Sequence, residues 1–427
     1  MVTEYSLPST LESVPTLFCL PYAGGAASAF WGMRKALADA AEVVPIHLPG
    51  RESRIAEPPR VSVGEIADEM ASRTRRPYAV YGHSMGARIA FEVVRELRRR
   101  ALPLPVCLYV GGAHPPDRKV PIAAAVDLPD DAFIDQLISR AGAREELRDM
   151  PELRELAMPV LRSDFGWIKE YRYTPEPPLD VPLVAFAGLD DAEVPPSVML
   201  GWGRHTRSRF DLRAVRGGHL FLADRHADLT RFIARDLAGD GGPEPLEDDE
   251  VHLWLVTGNT SAADLVDMVT RRCGSDREAL RCGTVHHDGL ALAAVTRGHP
   301  VGVAIGRPGT PDGDALDDGS LGADEREQIE GTAEEDRPWV ALRARTAKKA
   351  LAAGSGADPA LIGFPDLTAP GPWRPLAHRD PSPSADLTPW RVTHLPLPTP
   401  QGEVVAAVAL PHDRMRLRFT ALTGGSR

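Results

Sequence analysis

The stretch YGHSMGARIA, residues 81–90, holds Ser84 between two glycines. A serine hydroxyl is a weak nucleophile until a base takes its proton and a third group orients that base. The segment GHSMG fits the spacing G-x-S-x-G. That spacing suits a sharp strand-to-helix turn that lifts the serine hydroxyl above a sheet. The backbone N–H of Met85 then opens the following helix, where developing negative charge is favoured. The plainer alternative for Ser84 is a structural turn.

If Ser84 is a nucleophile, its base is expected late in the chain, after an acid. RAVRGGHLFLADRHADL, residues 213–229, offers His219 in a tight glycine loop between a strand-like run and a helix. His226 falls near the start of that helix, His83 is expected to point away from its neighbour Ser84, and His205 lies in the polar stretch GRHTRSR. The acid is expected between Ser84 and His219. PLVAFAGLDDAEVP, residues 182–195, is an apolar strand ending in Asp190 and Asp191, and the residues alone leave both open. Serine, then aspartate, then histidine is the chain order of an α/β-hydrolase. LPYAGGAASAFW, residues 20–31, follows the first core strand. Its glycine-rich loop can present a second backbone N–H, that of Ala23, to an oxyanion. A dinucleotide loop would require G-x-G-x-x-G, which this stretch lacks.

The elements needed to hold these residues are legible around them. Short strand-like runs at 16–21, 42–49, 78–82, 106–112 and 182–188 alternate with helical patterns. After Ser84, Ile89, Val93 and Leu97 recur at helical spacing, and Leu229, Ile233 and Leu237 mark a helix over about 224–238. Buried strands joined by amphipathic helices predict a mostly parallel α/β sheet. Residues 116–165 interrupt that rhythm with one helix around Phe133, Ile134, Leu137 and Ile138 and a second, short one over about 151–158. An insertion there is expected to lie over the C-terminal ends of the strands as a lid.

The composition changes at GDGGPEPLEDDE, residues 239–250, a polar, acidic linker. The expected domains are therefore 1–240, a linker over 241–250, and an α+β domain over 251–427. In the latter, strands are expected at 251–256, 290–295 and 403–410, and a helix at 262–272. A long loop is expected at 306–334 and irregular chain at 361–390. The formal charge of −11, from 49 Lys and Arg against 60 Asp and Glu, argues against nucleic acid as a partner. Four widely spaced cysteines match neither a zinc signature nor a disulfide framework, so a reducing compartment is expected. No basic-then-apolar leader opens the chain, no apolar run is long enough to span a bilayer, and a cytoplasmic location is expected. Neither cofactor nor metal is expected in the chemistry.

LFCLPYAGGAASAFW, LPGRESR, YGHSMGARIAFEV, GGAHPP, LRSDF, AFAGLDDAEV and VRGGHLFL occur in this order over residues 16–238. Together they resemble a type II thioesterase of polyketide and non-ribosomal peptide synthesis. The resemblance implies an α/β-hydrolase sheet with a helical lid. It also implies Ser84 as nucleophile, Asp191 rather than Asp190 as acid, and His219 as base. The activity implied is hydrolysis of acyl thioesters on the phosphopantetheine arm of an acyl or peptidyl carrier protein, for editing or release. Acyl transfer or cyclisation onto another acceptor, and a non-catalytic carrier-binding scaffold, stay open. Arg51 and Arg54, after the LPG turn, are expected to be structural or solvated, with a contact to the carrier's phosphate as the less favoured reading.

VHLWLV, VHHDGLALAAVTRGHPVGVAIG and THLPLPTPQGEVVAAVAL in the second half resemble a phosphopantetheinyl transferase. That resemblance implies acidic magnesium ligands, since a hard cation on a pyrophosphate takes carboxylate oxygens. Ala304 and Gly306 stand where an aspartate and a glutamate are expected, and 339–356 contains no glutamate. The turn His286-His287-Asp288-Gly289 keeps one histidine and the glycine of the expected pattern. The second domain is therefore expected to be a degenerate relative without transfer activity.

Overall fold

The computed structural model describes residues 14–74, 77–224, 226–240, 242–258, 260–274, 278–308, 320–369, 371–376, 386–399, 402–412 and 415–423. The chain divides into two units, which part between Gly241 and Gly242.

In the first unit, strands β1 (Thr16–Leu20), β2 (Glu42–Pro45), β3 (Tyr78–His83), β4 (Leu108–Gly111), β5 (Leu183–Gly188) and β6 (Phe210–Val215) pair in parallel in the order 2-1-3-4-5-6. Helices α1 (Trp31–Ala36), α2 (Val63–Arg73), α3 (Met85–Arg99), α4 (Asp130–Ala141), α5 (Glu146–Asp149), α6 (Pro151–Glu170), α7 (Pro196–Met199), α8 (Phe221–Asp224) and α9 (His226–Leu237) complete it. Every residue of β1, β3, β4 and β5 is buried, as in a parallel sheet covered on both faces. One layer of the core joins Leu17, Cys19, Tyr81 and Phe186 of the sheet to Met33 of α1 and Leu229, Ile233 and Leu237 of α9. Strand order reverses between β1 and β3. A crevice therefore opens beyond their C-terminal ends, where parallel α/β sheets place their ligands.

The insertion carries a 3-10 turn (Pro121–Asp127) followed by α4, α5 and α6. The helix expected over about 151–158, α6, is longer than its sequence pattern suggests and continues through Pro159 to Glu170. A proline inside a helix removes one hydrogen bond. Here the apolar stripe Met158, Leu161, Phe165 and Ile168 stays buried on one face and holds the helix together across that gap.

In the second unit, β7 (Glu250–Thr257), β8 (Leu280–His287), β9 (Leu290–Arg297), β10 (Gly302–Gly306), β11 (Arg391–Thr399), β12 (Gly402–Leu410) and β13 (Arg416–Thr423) accompany helices α10 (Ala262–Arg272), α11 (Ala323–Glu330) and α12 (Arg337–Ser355). β7 pairs parallel with β13 and antiparallel with β9, which pairs with β8. β12 joins β10 and β11 antiparallel. The stretch expected as a linker is partly built in. Leu246 is buried, and Glu247 and Asp249 pair with Arg416 at 2.6 and 2.7 Å. The segment expected as a loop over 306–334 contains α11, fixed to α12 by the buried pair Lys348–Glu325 at 2.5 Å, while 309–319 lie outside the described residues. Part of 361–390, namely 370 and 377–385, also lies outside them. Among the described residues, no helix is long and apolar enough to cross a membrane.

Candidate active site

Ser84 caps β3 and precedes α3 with φ 52° and ψ −116°, a strained conformation for a residue with a side chain. The two glycines make the turn possible. A Cβ on Gly82 would lie 2.2 Å from the carbonyl oxygen of Gly86, and one on Gly86 would lie 2.2 Å from that of Leu20. Backbone bonds from Ser84 N to Gly111 O (2.7 Å) and from Ala87 N to Ser84 O (3.0 Å) tie the turn to β4 and to the first turn of α3.

The loops after β5 and β6 bring in the other two groups. His219 Nε2 lies 3.0 Å from Ser84 Oγ, and His219 Nδ1 lies 2.8 Å from Asp191 Oδ2. Asp191 Oδ1 accepts the backbone N–H groups of Glu193 (3.0 Å) and Val194 (2.9 Å). Burial pushes the Asp191 carboxyl up. The hydrogen bond and charge of His219 and the two backbone donors outweigh that and hold it below the usual carboxylate range. Asp190 is exposed, and its backbone N–H bonds Gly217 O at 2.9 Å, so the geometry separates the two aspartates that the residues alone left open. Ala23 and Met85 line the same cavity as Ser84 and His219.

The other histidines stand elsewhere. His205 is buried against Asp117 at 3.1 Å, and His226 opens α9. His83 does not merely point away. Its Nε2 lies 2.8 Å from the backbone oxygen of His219 and its Nδ1 lies 2.9 Å from Tyr81 Oη. A carbonyl only accepts, so Nε2 carries the proton and Nδ1 accepts from the tyrosine hydroxyl. His83 thus braces the loop that carries His219. Burial, with the neighbouring His219, pushes its pKa down to about 3. Between the ordinary value near 6.5 and that value, the unfolded chain binds a proton that the folded chain refuses. Stability from this group is complete above 6.5 and is lost as pH falls toward 3, at up to about 1.4 kcal/mol per pH unit. We expect wild type to lose about 2 kcal/mol more than H83Q between pH 7 and 5. Urea unfolding at the two pH values measures this, and equal losses would contradict the assignment.

Ser84 and His219 open into a cavity of about 510 Å³. Ile122, Leu137, Leu161 and Phe165 of the insertion contribute to its apolar wall, and Arg88, His114, Arg144 and Glu193 are among its polar members. Helices of the insertion thus line the cavity onto which Ser84 opens. Arg51 is not solvated. Its guanidinium bonds both oxygens of the fully buried Asp164, at 2.9 and 2.8 Å. Arg54 pairs with Glu57 at 2.6 Å and bonds His47 O at 2.8 Å, a structural role at the surface. Sequence reasoning assigned no role to Asp164 or Tyr81. The available signal for Asp164 was an acid on the apolar face of a helix, flanked by Leu161, Phe165 and Ile168.

In the second unit, His287 Nε2 lies 3.4 Å from Asp288 Oδ2 at the β8–β9 turn, while Ala304 and Gly306 sit on β10. A hydroxyl–imidazole contact, Thr420 Oγ1 to His252 Nε2 at 3.1 Å, is buried within the sheet of β7 and β13.

Residues 15–237 match the thioesterase domain family. The chain is 36% identical over 227 residues to the gramicidin S biosynthesis protein GrsT of Aneurinibacillus migulanus, covering 52% of this chain and 88% of that protein. It is 36% identical to the thioesterase PikA5 of Streptomyces venezuelae, covering 53% of this chain and 82% of that protein. Among solved structures it is similar to ClbQ from the colibactin NRPS/PKS pathway, with 26% identity and a TM-score of 0.50, covering 52% of this chain and 96% of that one.

Proposed function

The chain belongs to the thioesterase family through residues 15–237, and from that premise we propose the reaction and the residues that perform it. The substrate is an acyl thioester on the phosphopantetheine arm of an acyl or peptidyl carrier protein. The observation that carries this reading is the bonded series Ser84–His219–Asp191 at the wall of an apolar cavity. His219 takes the Ser84 proton as Oγ attacks the thioester carbonyl. The N–H groups of Met85 and Ala23 hold the resulting oxyanion. The carbon–sulfur bond breaks, and His219 returns the proton to the departing thiol. Water then attacks the Ser84 ester with His219 as base, which releases a free acid and restores the hydroxyl.

The apolar lining suits an acyl chain, and the helices over it suit a lid that an arm must pass. Similarity to proteins named for gramicidin S biosynthesis and for an NRPS/PKS pathway supports a type II thioesterase that edits or releases carrier-bound groups. The test is a carrier protein loaded with a defined acyl group, incubated with the full chain, with products identified by mass. Free acid and holo-carrier support hydrolysis. A lactone or a conjugate with an added alcohol or amine would support transfer instead.

For residues 251–427, the reading is a phosphopantetheinyl-transferase-like unit without transfer activity. The likeness rests on the segments VHLWLV, VHHDGLALAAVTRGHPVGVAIG and THLPLPTPQGEVVAAVAL, and the missing activity on Ala304 and Gly306 in place of acids and no glutamate over 339–356. With coenzyme A, apo-carrier and magnesium, the expected result is no gain of mass on the carrier. A phosphopantetheine-sized gain would overturn it.

A further inference from the structure

We infer that the buried Arg51–Asp164 pair positions the oxyanion donor of this enzyme by fixing the loop that carries Ala23 to the C-terminal half of the lid helix α6. The inference rests on the hydrolase reading above and gives it a part that the three reacting residues do not supply.

Ala23 N–H belongs to the rigid peptide plane that also holds the carbonyl of Tyr22. That carbonyl accepts Gly25 N at 2.8 Å, which sets the plane's rotation and so the direction of Ala23 N–H. The next two anchors come from outside the loop. Gly24 N donates to Asp164 Oδ2 at 2.8 Å, and Gly25 O accepts from Arg51 Nη1 at 2.8 Å. Arg51 in turn grips both Asp164 oxygens. Asp164 is fully buried and Arg51 nearly so, which shields these bonds from competing water.

Packing reinforces the arrangement. Leu161 and Asp164 are three residues apart on α6 and share a face. Gly24 has φ +74°, and a Cβ there would lie 2.6 Å from Leu161 Cδ2. A side chain there would be strained by that φ and would displace Leu161, so glycine suits the approach of the loop to this face. Ser163 Oγ also bonds Pro59 O at 2.9 Å, on the chain beyond Arg51. The C-terminal half of α6 is thus part of the catalytic frame, and the exposed half before Pro159 is free of these bonds. An oxyanion donor that is aimed beforehand needs no reorganisation at the moment of reaction, which is where its effect on rate comes from.

The test uses the full chain, an acyl-pantetheine thioester, and the variants D164N and R51K. Asn keeps the volume of Asp164 but turns a donor or a neutral oxygen toward Arg51. Lys keeps the charge of Arg51 but lacks the fork. Each variant is expected to lower kcat about 10- to 100-fold with KM within about threefold. Inhibition by a trifluoromethyl ketone analogue, whose Ser84 adduct places an oxyanion in the same hole, is expected to weaken by the same factor. Binding of the thioether analogue, which has no carbonyl, is expected to stay unchanged. Wild-type kcat in a folded D164N or R51K would overturn the inference. So would a loss of thioether binding in step with ketone inhibition, because that would signal general damage to the cavity. If D164N does not fold, R51K carries the same comparison. Wild type turning over no faster than S84A is a different failure: it removes the hydrolase reading, and the inference with it.

Discussion

Replacing Ser84 by alanine is expected to lower kcat for acyl-carrier hydrolysis by roughly 10⁴- to 10⁶-fold. The variant leaves the fold in place. Alanine occupies the same turn with the same φ of 52°, and the bonds from residue 84 to Gly111 and Ala87 are made by backbone atoms. It also leaves the cavity and the donors of Met85 and Ala23. What disappears is the atom 3.0 Å from His219 Nε2, and with it the acyl-enzyme route. Only direct attack by water remains, helped by His219 and the oxyanion donors. Binding of the acyl-carrier should persist. The measurement is kcat on a loaded carrier alongside binding of the same carrier to the variant. Unchanged turnover, or loss of binding equal to the loss of turnover, would contradict the assignment.

D191N is expected to cost about 10⁴-fold in kcat with little change in KM. The physical reason lies in which way the amide must turn. Asp191 Oδ1 accepts from Glu193 and Val194 N–H, and an asparagine carbonyl oxygen keeps those bonds. Its NH₂ group then faces His219 Nδ1, where Asp191 Oδ2 stood at 2.8 Å. A donor in that place selects the tautomer with its proton on Nε2. That nitrogen can no longer accept from Ser84, so the base is present in the wrong form. The same substitution removes a carboxyl that folding holds below its ordinary pKa. The wild-type group stabilises the fold above the ordinary carboxylate range, and that contribution is lost as pH falls below it. D191N should therefore show a smaller loss of stability on acidification through that range. A rate loss under tenfold, or an unaltered acid limb, would count against this role.

The three residues proposed to react were readable because each sits at a punctuation mark of the chain. Ser84 lies between close-packed glycines, Asp191 follows an apolar strand, and His219 follows a glycine pair. The choice between Asp190 and Asp191 was not readable locally. It depends on which carboxylate the loop after β5 turns inward, and that is set by backbone donors at Glu193 and Val194. The supporting groups were hidden for a related reason. His83 and Tyr81 face the same side of β3, and their value comes from the carbonyl of a residue 136 positions later. Arg51 reads as a surface residue until α6 supplies Asp164 from 113 positions away. Helix α6 outran its sequence pattern because burial of one apolar stripe outweighed the local effect of Pro159. In the second half, β11 and β13 were among the strands that escaped notice. β11 carries two prolines, Pro396 and Pro398, that weaken a strand pattern, and it lies at the edge of its sheet where proline is tolerated.

The most direct measurement is the mass of the protein during turnover. With an acyl-pantetheine thioester and rapid acid quench, wild type should carry one acyl group, located by peptide mapping on the segment that contains Ser84, and the adduct should decay with release of free acid. Turnover with no adduct on that segment, or an adduct located on any other residue, would contradict Ser84 as the nucleophile.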